Sequence, residues 1–139
     1  MTVFEPSLEL QTLIGNRLLE SADLMEMIPA DNVLDVTGRP ERFPSLIIGE
    51  AQTIYRRWDA TVNATLHVWF EENALVKAKL AASAIVDALY HDAQVAGSVI
   101  QTEHFSVFDM AVDSTRFLRD LHGPFSHGVV NVAAIMRER

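Results

Sequence analysis

The hydrophobic period of this chain switches near residue 72, and that switch constrains its fold more than any other feature. Between residues 59 and 71, Val62, Ala64, Leu66, Val68 and Phe70 alternate with Thr61, Asn63, Thr65, His67 and Trp69. A period of two belongs to a strand with one face buried and the other turned outward. Directly afterwards, Leu75, Ala78, Ala82, Ile85 and Leu89 fall three and four residues apart, which gives a helix one apolar stripe. A half-buried strand running into an amphipathic helix requires a helix layer packed on a sheet. The small residues Ala78, Ala81, Ala82 and Ala84 let that helix lie close to the sheet. Asn73 is its expected N-cap, over a helix spanning residues 73–92. Ile85 lies on the stripe and Leu80 flanks it, so at least one of them is expected deep in the core.

The remaining elements follow from local signals. Leu10, Leu13, Ile14 and Leu18 give a first helix one apolar face, with Ser7 as the expected N-cap after Pro6. Gly15 weakens this helix by up to ~1 kcal/mol relative to alanine. Ser21 opens a short second helix through Leu24, Met25 and Ile28, which Pro29 ends. Residues 32–36 read as a short strand, 37–44 as a loop with Gly38, Pro40 and Pro44, and 45–49 as a buried strand. Two further strands are expected over residues 99–112 and 128–136. The polar stretch 113–127, which carries Gly123 and Pro124, reads as a long loop between them. The expected fold is therefore α+β, an antiparallel sheet of four to five strands with two main helices packed on one face.

Composition narrows the function classes. A length of 139 residues suits one domain, and 49% hydrophobic with 22% charged residues is globular composition. No cysteine is present, which excludes disulfides and thiolate chemistry and fits assembly in a reducing cytoplasm. The N-terminus lacks a basic, apolar leader, and the longest apolar run, residues 80–89, is too short for a bilayer, so a soluble protein is expected. The net charge of −8 argues against tight nucleic-acid binding, which needs clustered cations; the densest cluster is Arg56-Arg57 beside Asp59. A solvated strand edge accounts for those two arginines better than a binding patch does.

Catalytic signals are sparse. No phosphate-binding loop, dinucleotide fingerprint, zincin helix, nucleophile elbow or CxxC occurs. His122 and His127 with Asp120 have the residue types of a divalent metal site, and Ser126, His127 and Asp120 those of a hydrolytic triad. A solvated loop explains the same residues. Asp109 and Asp113, near a strand end, suit acid–base work or simply solvent. Trp69, opposite Val68 and Phe70, faces solvent, the chain's own loops or another subunit.

The order of landmarks carries more information. A leading helix over residues 8–19 precedes DLMEMIP at 23–29, NVLDV at 32–36 and a proline-rich loop closing on PSLIIGE at 44–50. ATLHVWFEE at 64–72 then runs into an alanine-rich helix ending IVDALYHD at 85–92, and HGVVNVAAIM closes the chain at 127–136. This order, over nearly the whole chain, resembles the tail-completion (tail-terminator) proteins of long-tailed phages and gene transfer agents. Glu71-Glu72-Asn73 departs from the polar, glycine-containing turn often found in that family after the tryptophan strand.

The resemblance implies a structural virion protein with no catalytic residue and no cofactor. It implies a ring of about six copies that caps the tail tube and joins it to a head-side connector or stopper protein. DNA would pass through the lumen without specific binding, and no membrane is involved. Contacts between subunits or with partners are expected at His67, Trp69 and Phe70 on the strand. From the loops at 37–43 and 113–127, Arg39, Arg42, Phe43, Arg116, Phe117 and His122 are expected to join them. The alternatives are another phage neck connector, a small α+β hydrolase using His122, His127 and Asp120, and a ligand-binding dimer whose helix at 73–92 covers a pocket.

Overall fold

The computed structural model of the chain describes residues 4–35 and 40–139. Arg39 and the end of the expected strand at 32–36 lie outside the described residues, as does the start of the loop at 37–44.

The first helix, α1 (Pro6–Leu19), begins two residues earlier than a Ser7 cap suggests. The Glu5 carboxylate, not Ser7, caps it by accepting from the Ser7 N–H at 3.1 Å. Thr53, Ser7 and Tyr55 all donate to this carboxylate, with Thr53 the strongest cause, and they hold its pKa down to about 2 against a smaller opposing effect of burial. Leu10, Ile14 and Leu18 form the buried stripe of α1. Ser21 caps α2 (Ala22–Met27), its hydroxyl accepting from the Leu24 N–H.

The sheet has seven strands rather than four or five. In order across the sheet they run β1 (Val33–Leu34), β2 (Ser45–Tyr55), β3 (Ala60–Phe70), β7 (Phe125–Glu138), β6 (Phe105–Asp120) and β4 (His91–Asp92). The seventh, β5 (Ile100–Gln101), also pairs with β6. Every pairing is antiparallel except β1 with β2. β1 is the short strand expected at 32–36, and the extra strands β4 and β5 are two residues long, too short for any periodicity to announce them.

The largest correction concerns residues 113–127. The expected loop is instead the outer half of β6 and the start of β7, joined by a turn at residues 121–124. Two register irregularities in β6, between Val107 and Asp109 and between Val112 and Ser114, reset the alternation that would have revealed the strand. Beyond the second, Asp113 to Arg116 are exposed and polar, as loops usually are.

The helix α3 (Val76–Leu89) starts three residues after Asn73 and has no side-chain cap. The Asn73 carbonyl instead accepts from Arg119 Nε at 3.0 Å. The helix also stops before residue 92, giving way to β4 and the single turn α4 (Ala93–Ala96), which Gly97 closes in the left-handed conformation at φ 80. Ala78, Ala82, Ile85 and Leu89 are buried as the stripe requires. Leu80 is not: it is 57% exposed, because it sits on the flank turned away from the sheet.

Both main helices lie on the same face. α1 rests on β2 and β3, α3 rests on β3, β6 and β7, and the two helices touch each other. Beneath them Val62, Leu66 and Val68 of β3 meet Val130, Val132 and Met136 of β7 in one core. Glu9 ties α1 to the start of β6, accepting from the Thr102 hydroxyl at 2.6 Å and the His104 N–H at 2.7 Å. Among the described residues no helix is long and apolar enough to cross a membrane.

Candidate assembly surfaces

The opposite face of the sheet has no helix over it, and there the chemistry-bearing side chains collect. Alternation turns Thr65, His67 and Trp69 of β3 outward, and the β3–β7 register sets Asn131, Val129 and His127 opposite them. One row across four strands reads Ile47, His67, Val129, Arg116; the next reads Ser45, Trp69, His127, Leu118.

His67 and His127 are diagonal neighbours in these rows. Their rings meet through His67 Nδ1 and His127 Nε2 at 2.8 Å, and His67 Nε2 lies 3.3 Å from Glu50 Oε1. A carboxylate only accepts, so the network assigns the Nε2 proton of His67 to Glu50. With both rings neutral, His67 Nδ1 then accepts from His127 Nε2–H. The His127 ring lies flat on the Trp69 indole, with centroids 3.9 Å apart and planes 10° apart. Burial lowers the His127 pKa to about 4, helped by charge on His67 and Arg116 and opposed by Asp120 and Glu50. Glu50 is held below the usual carboxylate range, first by a hydrogen bond from its own backbone N–H and then, against burial, by His67.

Beside the histidines runs a polar bridge. Asn131 accepts from the Thr65 hydroxyl at 3.0 Å and donates to Ser114 Oγ at 2.9 Å, linking β3, β7 and β6. Thus the helix-free face is partly closed by its own side chains, and Trp69 is only 9% exposed there.

The two ends of the sheet differ. At one, the turn between β2 and β3 carries Tyr55, Arg56, Arg57 and Trp58, all exposed. At the other, Phe43 stacks on Phe125 with centroids 4.6 Å apart, next to the β6–β7 turn. A groove of about 480 Å³ opens there, floored by Met27, Phe43, Phe70 and Leu80 and flanked by Glu26, Glu71 and Glu72.

The residues singled out from the sequence scatter among these regions. His67, Trp69 and Arg116 share the helix-free face. Phe70 turns the other way into the core and is exposed only as groove floor. Phe117 is also on the helix side, half-buried, with the Lys79 ammonium 5.9 Å over its ring. Arg42 is exposed and donates to the Asp31 carbonyl at 3.2 Å. His122 is exposed in the β6–β7 turn, its backbone N–H bonded to Asp120 Oδ1 at 2.9 Å.

Asp120, His122 and His127 line one shallow depression of about 270 Å³, but the hydrolytic arrangement does not form. Ser126 and His127 are consecutive in β7, so they project to opposite faces, and Ser126 is fully buried on the helix side. Among the described residues no group of three or more His, Asp or Glu is placed to hold a metal ion. Asp109 and Asp113 are exposed within β6. The pairing of His67 with His127 and Glu50 was not foreseen. Its signal was two outward histidines on strands of unknown register, and register is a tertiary property.

No curated protein matches the sequence. Among solved structures, a chain from the virion of a native gene transfer agent particle matches the fold with a TM-score of 0.77 at 16% identity. That match covers 97% of this chain and 99% of the other. The family model described as tail completion protein gp17 matches residues 12–137, nearly the whole length. The sequence, with its tryptophan strand, its alanine-rich helix and its closing strand, therefore belongs to the tail completion protein gp17 family, a family of structural proteins of the phage tail.

Proposed function

We propose that the chain forms a closed ring, of about six copies, at the head-proximal end of a tail tube, where it caps the tube and joins it to the head-side connector. The observation that carries this reading is family membership over residues 12–137. The layout of the surfaces supports the reading. A cyclic assembly uses two different patches per copy, and its two axial faces meet different partners. Here the helix-free face with His67, Trp69 and Arg116 is distinct from both ends of the sheet. Arg42, Phe43 and His122 stand at one of those ends, beside the turn at residues 121–124.

The charge suits the task. A conduit for DNA must not hold it, and a net charge of −8 repels phosphate over roughly a Debye length, ~8 Å at physiological salt. In this reading the partners are further copies of the chain, the tail tube protein below and the connector or stopper above. The protein is part of the virion and assembles in the host cytoplasm. It carries out no catalysis.

The test is electron microscopy of particles made without this gene. Tails of uncontrolled length, or finished tails that do not cap, are expected. Tails of normal length that only fail to join heads would instead support a neck connector. Normal particles would refute both.

A further inference from the structure

The two ends of the sheet are complementary to each other, and no copy can bring its own ends together. They are separated by the full length of β3, about 35 Å at ~3.3 Å per residue. At one end, Trp58 is 71% exposed and Tyr55 62% exposed on the tip of the β2–β3 hairpin. The tip is held in shape. Arg56 N–H donates to the Asp59 carbonyl at 2.8 Å, Arg137 Nε donates to the Trp58 carbonyl at 3.2 Å, and the Arg57 guanidinium lies 5.1 Å over the indole. An ordered tip carrying Trp, Tyr and Arg has the composition of an interface anchor, with little entropy left to lose on docking. Asp59 offsets only part of its positive charge.

At the other end lies the groove with an apolar floor of Met27, Phe43 and Leu80. Its flanks carry Glu26, Glu71 and Glu72. Lys77 pairs with Glu72 at 3.6 Å, which leaves Glu26 and Glu71 with no ion-pair partner among the described residues. The exposure of Leu80, at odds with its place beside the α3 stripe, is explained if something apolar covers it.

We infer that the Trp58 tip of one copy docks in the Glu26–Glu71 groove of a second copy, the indole over Leu80 and Met27 and the Arg56 and Arg57 guanidinia against the glutamates. This rests on the ring reading and names its contact. The two patches are different surfaces of one chain, so the contact is head-to-tail and repeats from copy to copy until the ring closes.

The test uses assembled particles. Trp58 is replaced by photoreactive p-benzoyl-phenylalanine in the full chain, and cross-linked peptides are mapped by mass spectrometry. The expected product joins position 58 to the segment around Met27 or Leu80 of another copy. A cross-link to a different virion protein, to another surface of this chain, or none at all overturns the inference. Charge reversal gives an independent readout. Arg56→Glu with Arg57→Glu should cut incorporation into particles by at least about tenfold, as opposed charges across an interface do when one is reversed. Adding Glu26→Arg and Glu71→Arg should restore it, and failure to restore contradicts the pairing. All four residues are exposed, so unchanged melting of each variant separates lost docking from lost folding. A particle that contains the chain as a ring but cross-links elsewhere defeats this inference alone. Normal particles without the gene defeat the ring reading instead.

Discussion

The two faces of the sheet are built from the same strands and differ in almost everything else. Under the helices, every second residue of β3 and, beyond Ser126, of β7 from Gly128 to Met136 is apolar and buried, and the main demand is close packing. On the helix-free face the alternate residues are Asn63, Thr65, His67, Asn131 and His127, all half-buried, with Thr65 bonded to Asn131 and His67 to His127. Ile47, Trp69 and Val129 interrupt this polar surface with an apolar island. Folding by itself needs only the first face. Holding imidazoles, an indole and amides in fixed positions on the second is a packing demand the first face does not make.

The comparison breaks most visibly at α3. Ile85→Asp places an unpaired carboxylate in the core at a cost of several kcal/mol, comparable with the stability of a whole domain at ~5–15 kcal/mol. No soluble folded protein is expected from it. Leu80→Asp, on the exposed flank of the same helix, should melt within about 0.5 kcal/mol of the parent. Thermal melting of the pair checks which face is the core, and a normal melt for Ile85→Asp would invert the assignment.

Glycine positions sharpen the contrast at smaller scale. A Cβ on Gly128, under the helices, would stand 2.6 Å from Val68 Cγ2 and 3.3 Å from the Phe117 ring. Gly128→Ala should therefore cost ~1–3 kcal/mol by overpacking. In α1 the opposite is expected, because a Cβ on Gly15 meets Ile48 at an ordinary 3.7 Å. Gly15→Ala should stabilise by up to ~1 kcal/mol through helix propensity. Denaturant midpoints of the two variants should move in opposite directions.

On the helix-free face the effects are smaller. Asn131→Ala removes the bonds to Thr65 and Ser114 and should cost ~0.5–1.5 kcal/mol. The last effect is in pH. His127 has a folded pKa depressed to about 4 from an ordinary 6.5, so the unfolded chain binds the proton more readily. Its contribution is intact above pH 6.5 and is lost as pH falls from 6.5 towards 4. Carboxylates held low, such as Glu5 at about 2, lose their contribution only below their unfolded value of 4.5. Melting temperature against pH should thus begin to fall from 6.5 in the parent and later in His127→Asn. Identical curves would show that His127 is not held neutral by its surroundings.

The sequence was legible where periodicity was unbroken. The alternation through β3 and the stripe of α3 required both elements and their mutual face, and the helices on one side followed. Legibility ended where local pattern and tertiary pairing parted. The outer half of β6 is polar and exposed on its edge, so DSTR at 113–116 reads as loop although Ser114, Thr115 and Arg116 pair with β7. Two-residue strands carry no period, and Leu80 sits one helical step from a stripe it does not join. In the candidate surfaces, His67 and Trp69 could be placed on the outward face from alternation alone. Their partners His127 and Glu50 could not, because the contact depends on which rows of three strands align.

The central claim is that this chain sits once in the particle, as a ring where the tail meets the head. The most direct measurement is cryo-electron microscopy of particles whose copies carry a compact label fused after Arg139, which is exposed. The account predicts label density confined to one ring of about six-fold symmetry at the head-proximal end of the tube. Label repeated along the tube, at its distal tip, or absent from the particle would contradict it.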